Sequence, residues 1–346
     1  MKPDPGATRH IVLFAFDGVE LLDVAGPLEA FATASALLGG AAPGYTVEIA
    51  AERPGLLRTA SGLAIAATRA FAAPGPLDTL LVAGGAVIED CCARPGLLDT
   101  LRRQAGRARR LGAVCTGAML LAEAGLLDGR RAVTHWNWCE RLARRYPKVT
   151  VEGAPIFVED GGVWTSAGVT AGIDLALAMI EDDYGAALAL RTARELVMFL
   201  RRPGGQSQFG VAPPAPSGRD EAIRRVQQAI VEHPEADLSV EALAGLAAMS
   251  PRNFARVFKR DTGVAPAQFV ERSRLEHARR RLEADAAPVE LVALACGFRS
   301  ADVMRRVFLR YLQVSPGDYR ERFGAWRGRP PAVSPHPATS TEEELQ

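Results

Sequence analysis

Residues Leu111 to Leu127 read LGAVCTGAMLLAEAGLL. Leu111–Val114 is a short apolar run, which predicts a buried strand. The run breaks at Cys115, and the small and apolar residues from Gly117 onward predict a helix that starts at once. A strand that turns straight into a helix holds the intervening side chain on a sharp corner above the sheet edge, within reach of a ligand. A thiol there suits a nucleophile or a pocket-lining residue. The dipole and free N–H groups of a helix start lower a thiol pKa, so Cys115 is expected to be pocket-exposed and acidic. The alternative is an ordinary buried cysteine.

Working outward, HIVLFAF (His10–Phe16), YTVEIAA (Tyr45–Ala51) and LDTLLVAGG (Leu77–Gly85) are further apolar runs ending in turn residues. Helical patterns such as Pro27–Leu38 and Gly96–Arg109 separate them. Apolar strands alternating with helices predict an α/β fold with a parallel sheet covered on both faces. Ligands of such sheets sit beyond the carboxyl ends of the strands. The stretch Asp17–Asp23, the pair Gly84 and Gly85, and Cys115 all fall there and can share one pocket. Gly85 and Thr116 could offer N–H groups to a carboxylate or carbonyl oxygen. Asp23 could share a proton with the thiol, grip a cationic ligand, or cap the helix near Pro27. His135, closing the strand-like RRAVTHW, is the histidine placed to assist Cys115, or else a packed strand-end residue. Trp136 and Trp138 could line a cationic-ligand site through their ring faces, or be core.

The 346 residues suggest two domains, and a hydrophobic fraction of 48% suffices for packed cores. No uninterrupted apolar run reaches the roughly 18 residues of a membrane span, and the N-terminal run is too short for a signal peptide, so a cytoplasmic protein with no membrane partner is expected. The cysteines (Cys91, Cys92, Cys115, Cys139 and Cys296) form no C-x-x-C pair, and neither a disulfide framework nor a metal site is expected. No feature calls for a cofactor. The net charge of +1 hides an asymmetry: residues 219–329 carry 20 Lys and Arg against 15 Asp and Glu. That bias points to an anionic partner.

Residues 201–219, dense in Gly, Pro and Ser, read as a linker, and the Pro-rich polar residues 326–346 as a disordered tail. Between them the chain is helical and repeats at an offset of 50: VFKRDTGVAPAQFVER (Val257–Arg272) lies over VFLRYLQVSPGDYRER (Val307–Arg322). Each copy follows an Ala-rich helix and a short turn, near Met249-Ser250 and Gly297-Phe298. Helix, tight turn and second helix make a helix-turn-helix, and two copies would place two recognition helices in successive major grooves of double-stranded DNA. Ser250 and Ser300 are expected N-caps. Phe254, Val257, Phe258, Met304, Val307 and Phe308 should face inward. Arg252, Ala255 and Arg256 in the first copy, and Ala301, Asp302, Arg305 and Arg306 in the second, should face DNA.

LSVEALAGLAAMSPRNFARVFKRDTGVAP and ACGFRSADVMRRVFLRYLQVSPGDYRERF resemble the paired helix-turn-helix domain of AraC/XylS-type regulators, departing at Gln313, where the first copy has Gly263. FDGVELLDVAGPLEAF, LLVAGG, AVCTGAMLLAEAGLLDGRRAVTHW and VWTSAGVTAGIDLAL resemble the DJ-1/PfpI (class I glutamine amidotransferase-like) superfamily. The order of the two matches that of GlxA-type transcriptional regulators. The resemblance implies a flavodoxin-like parallel-sheet sandwich over residues 9–200, sensing a small effector, and an all-α tandem helix-turn-helix domain over 220–325. It also implies a homodimer and an effector of small nitrogen-containing type. LDVAGP and CTGA are similar to isonitrile hydratase, in which an acid matching Asp23 lies beside the thiol. A cysteine hydratase or hydrolase using Cys115, Asp23 and His135, or a thiol redox sensor, is therefore the alternative. Many superfamily enzymes carry His directly after the nucleophile, and here that position is Thr116. A regulator without turnover is the expectation.

Overall fold

The computed structural model describes residues 7–40, 42–201, 205–206, 209, 221–284 and 286–324. The chain forms two compact units, residues 1–212 with 309–314 and residues 213–308 with 315–346, the main boundary falling between 212 and 213. That boundary falls inside the expected linker. Apart from Arg201, Gly205, Gln206 and Phe209, the linker lies outside the described residues, as does the expected disordered tail.

The N-terminal unit runs β1 (Arg9–Phe14), α1 (Leu21–Leu38), β2 (Tyr45–Ala51), β3 (Gly55–Arg58), β4 (Ala64–Ala67), β5 (Arg69–Ala70), β6 (Thr79–Val82), α2 (Ile88–Cys92), α3 (Pro95–Ala105), β7 (Arg110–Val114) and α4 (Gly117–Glu123). It continues with β8 (Arg131–Ala132), a 3-10 turn (Trp136–Trp138), α5 (Cys139–Arg145), β9 (Thr150–Val151), β10 (Phe157–Asp160), β11 (Val163–Ser166), α6 (Ala171–Tyr184) and α7 (Ala186–Glu195). Seven strands form one sheet in the order β10-β11-β7-β6-β1-β2-β5. All neighbours pair parallel except β10 with β11. Every residue of β6 and β7 is buried, as parallel strands covered on both faces require. The strand order reverses between β1 and β6, and that crevice is where a sheet of this kind binds ligands.

One expectation needs correction here. The first helix begins at Leu21, not Pro27, and Pro27 lies inside it. Among the described residues this helix is also long and apolar enough to cross a membrane, although no uninterrupted run is. Its apolar residues are spread around Asp23 and Glu29, and it packs against α6, α7 and β2.

At the amino ends of the strands sits a buried ionic cluster. Arg109 pairs with Asp78 at 2.8 Å and with Asp183 at 2.9 Å, and Arg110 pairs with Asp183 at 2.6 Å. The Tyr45 hydroxyl donates to Asp183 at 2.8 Å. Arg9 lies 3.5 Å from Asp183 and over the Tyr184 ring. The cluster ties β1, β2, β6 and β7 to the end of α6, on the edge opposite Cys115.

The C-terminal unit comprises α8 (Glu221–Glu232), α9 (Val240–Leu246), α10 (Pro251–Thr262), α11 (Pro266–Ala284), α12 (Val289–Ala295), α13 (Ala301–Leu312) and α14 (Pro316–Phe323). Helices α9 and α10 form one helix-turn-helix, α12 and α13 the other. The central α11 packs with α8 and α10 in the first half and with α12 and α14 in the second. Phe254, Val257, Phe258, Met304, Val307 and Phe308 are all buried, as their spacing predicts. Ser250 and Ser300 accept the Asn253 and Val303 N–H groups from the first turns of α10 and α13.

The two halves place their left-handed residues differently. The turn between helices uses Ala248 (φ 52°) in the first half and Gly297 (φ 78°) in the second. The residue ending the recognition helix is Gly263 (φ 79°) in the first half and Gln313 (φ 59°) in the second. A non-glycine residue in this region costs about 1–2 kcal/mol. Each half therefore carries one strained residue, at a different point.

Candidate functional site

Cys115 follows β7 and precedes α4, as the sequence predicts, and its φ of 57° gives the corner a strained backbone. Val169, after β11, is a β-branched residue with φ 52° and is strained as well. Between them Gly168 (φ 90°) is obligatory, because a Cβ there would lie 2.1 Å from the Cys115 Cβ.

Asp23, in the first turn of α1, ties these loops together. It is fully buried. One carboxylate oxygen accepts the Gly84 N–H at 3.1 Å, the other the Val169 N–H at 2.7 Å. The Cys115 thiol lies against the same carboxylate, and the two shift each other's pKa. Three strand ends, those of β6, β7 and β11, therefore converge on one carboxyl group. Burial pushes that group up to about 6, against the downward pull of the Val169 and Gly84 amides, with Glu20 adding to the rise.

Four sequence expectations are corrected here. Cys115 is only 7% exposed, so the thiol is buried and not open to a pocket. Burial, and then the negative Asp23, lift its pKa well above the usual thiol range; the Thr116 N–H pulls the other way and is outweighed. The helix start therefore does not make this thiol acidic. Asp23 neither caps a helix nor presents a charge to solvent, because both oxygens serve backbone amides. Gly84 and Gly85 are not free donors: Asp23 takes the first N–H, and the Thr116 hydroxyl takes the second at 2.8 Å while donating to the Gly85 carbonyl at 3.0 Å. Asp17 does not join the elbow. It receives the Arg58 N–H and lines a separate cleft of about 440 Å³ with Glu52, Arg53 and Arg94.

His135 is half-buried and caps the 3-10 turn, its Nδ1 accepting the Asn137 N–H at 3.4 Å. Burial lowers its pKa. Among the described residues no hydrogen bond joins it to Cys115, so no Cys–His dyad is assembled. Trp136, 37% exposed, stands beside the His135 ring at 5.3 Å. Trp138 is covered by the Arg141 guanidinium at 5.0 Å.

The sequence reading did not single out Gly168, Val169 or Thr134. Buried Thr134 donates its hydroxyl to the Cys115 carbonyl at 2.8 Å. The signal for the first two lay in SAGVTAG, a small-residue turn between a strand and a helix. Nothing in the sequence distinguishes Thr134 from its neighbours.

In the C-terminal unit, Arg252 and Arg256 are exposed on α10 with Ala255 between them in partial exposure. Asp302, Arg305 and Arg306 are exposed on α13, with Ala301 partly so. Asn253 joins the exposed face of α10, its side-chain oxygen accepting from Arg256 at 2.8 Å. These are the faces opposite the buried phenylalanines.

Residues 9–182 match the DJ-1/PfpI family and residues 243–322 a helix-turn-helix domain. The HTH-type transcriptional regulator Rv1931c of Mycobacterium tuberculosis is 33% identical over 72% of this chain and 97% of its own. The HTH-type transcriptional regulator GlxA of Rhizobium meliloti is 29% identical over 88% of this chain and 93% of its own. The crystal structure of a THiJ/PfpI family protein from Pseudomonas syringae superposes with a TM-score of 0.51 at 26% identity, covering 57% of this chain and 78% of that one. With its buried elbow on a parallel sheet and its two helix-turn-helix motifs, the chain belongs to the DJ-1/PfpI family and, as a whole, to the HTH-type transcriptional regulators of AraC type that carry such a domain.

Proposed function

We propose that the protein is a DNA-binding transcription regulator whose N-terminal unit, residues 9–200, holds a small effector at the Cys115 elbow without converting it. Residues 220–325 read double-stranded DNA, and the protein acts in the cytoplasm as a homodimer, since two linked readers gain effective concentration on a repeated site. The observation that carries this reading is the state of the elbow. The thiol is buried beside a carboxylate, and both raise its pKa; the nearby Gly84 and Gly85 amides are already engaged, and His135 is turned to its own backbone. Such a site lacks an activated nucleophile and those oxyanion donors, which acyl or hydration chemistry needs. In this reading the effector rests over the elbow against His135 and Trp136 at the rim, with the buried Cys115 beneath it. Asp23, Gly84, Gly85 and Thr116 shape the floor from behind. A nitrogen-containing effector would place its positive charge against the Trp136 ring.

The DNA-reading half of the proposal is tested on full-length protein with duplexes enriched from a random pool. Arg256→Ala and Arg306→Ala should each weaken the enriched duplex by about 1–3 kcal/mol while leaving random duplex nearly unchanged. Equal losses on both duplexes would reduce these arginines to phosphate contacts. For the sensing half, small amines, amino acids and betaines are screened for a rise in thermal stability that Trp136→Ala diminishes. Repeated turnover of any of these compounds, lost in Cys115→Ser, would overturn the reading.

A further inference from the structure

Beyond the elbow itself, Thr134 has a second partner. Its hydroxyl donates to the Cys115 carbonyl at 2.8 Å, and its own carbonyl accepts the Gln206 Nε2 at 3.0 Å. Gln206 stands at the root of the segment that leads to the helix-turn-helix unit, 15 positions before Glu221 in the sequence. Its side chain is 2% exposed, an uncommon depth for glutamine. The Gln206 N–H donates to the Ala154 carbonyl at 2.9 Å, and the Phe209 N–H returns to the Gln206 carbonyl at 2.9 Å. Gly205 passes so close to Ala154 that a Cβ there would lie 1.9 Å from the Ala154 carbonyl oxygen. The Gln206 amide also covers the Cys139 sulfur at 3.9 Å. The Gln206 side-chain oxygen has no partner among the described residues, so the seat is held by donation alone.

From this geometry we infer that Gln206 is the output contact of the N-terminal unit: Thr134 couples the strained Cys115 corner to the root of the linker, and a change at the corner loosens the Gln206 seat. The coupling is short and physical. One residue carries both hydrogen bonds, through its side chain toward the elbow and through its backbone toward the linker. Thr134 also directly precedes His135, so an effector resting on His135 would act on the same residue. The regulatory meaning of the seat rests on the effector reading proposed above. The seat and its link to the corner stand on the contacts alone.

The test uses the full-length protein and no effector. Two signals report the seat: hydrogen exchange of the Gln206 amide, and alkylation of Cys139 by N-ethylmaleimide followed by peptide mass. Gln206→Met keeps the size but removes the donor, and should speed Cys139 alkylation several-fold. Gln206→Ala should do so more strongly. Thr134→Val removes only the link to Cys115. It should raise both Cys139 alkylation and Gln206 exchange at least threefold, whereas Thr134→Ser, which keeps the hydroxyl, should follow the wild type. Should Thr134→Val not fold, Thr134→Ala is compared with Thr134→Ser in its place. Wild-type rates in a folded Thr134 variant lacking the hydroxyl would show that corner and linker root are uncoupled, and would overturn the inference. Wild-type alkylation in Gln206→Met would equally overturn it, because the donor would then not hold the seat. Failure of every effector screen would leave these rates untouched, so the two proposals fail separately.

Discussion

Replacing Asp23 by Asn should remove a pH dependence that the wild type carries. The Asp23 carboxyl is fully buried, and its pKa is raised from 3.8 to about 6, chiefly by burial. A group whose folded pKa is raised favours the folded state in its protonated form. Its contribution is fully present below the unfolded value, near pH 4, and is lost as pH rises through about 6. A rise of this size corresponds to about 3 kcal/mol over the whole window, of which about 2 kcal/mol falls between pH 4.5 and 7.5. Asp23→Asn is neutral throughout and should lack this dependence. Its absolute stability should also be lower, because an Asn amide group would face either the Gly84 or the Val169 N–H, a mispairing worth about 1–3 kcal/mol. Urea unfolding followed by tryptophan fluorescence reports mainly on the N-terminal unit, since Trp136, Trp138 and Trp164 belong to it. The stability difference between wild type and variant should shrink by about 2 kcal/mol from pH 4.5 to 7.5. Parallel pH profiles would refute the assignment of a buried, proton-sharing carboxyl at this corner.

Three further outcomes are expected. Gly168→Ala should destabilise the N-terminal unit by more than about 3 kcal/mol, because both φ and space forbid a methyl group there, and a melting temperature close to that of the wild type would contradict the packing described. Ala248→Gly and Gln313→Gly should each stabilise by about 0.5–1 kcal/mol in thermal unfolding, since relief of left-handed strain outweighs the added entropy of the unfolded chain. At pH 8, Cys115 should react with iodoacetamide more slowly than a free thiol and more slowly than partly exposed Cys139; peptide mapping that finds Cys115 the faster would show an activated nucleophile.

Much of the architecture could be read from the sequence. YTVEIAA coincides with β2, and Leu111–Val114 lies within β7, because continuous apolar runs bounded by turns have few other uses. The duplicated helix-turn-helix was visible for a similar reason: the same apolar spacing appears twice, and both serine caps are used. The chemistry of the elbow was less accessible. A motif such as AVCTGA fixes the corner, but the thiol pKa depends on what surrounds it. Asp23 lies 92 positions earlier in the chain and Val169 lies 54 later. Local sequence suggested an acidic cysteine at a helix start, whereas the assembled site contains a buried thiol against a carboxylate. The Gly85 amide, expected as a free donor, differs on the same ground, since whether a donor is free depends on partners brought in from elsewhere in the chain.

The ionic cluster beneath the sheet has a consequence for where this fold can give. Arg9, Asp78, Arg109, Arg110 and Asp183 bind the amino ends of neighbouring strands to one another and to α6, with little water to screen them. Sliding one strand past the next would separate these charges in a poorly solvating interior. The sheet therefore behaves as a stiff plate clamped along one edge, and strain applied at the opposite edge has little room to dissipate by strand slippage. It must be accommodated in the segments that leave the plate, chiefly the turns at Cys115 and Gly168. Variation at the carboxyl rim can then alter what the rim accepts without retuning the plate beneath it.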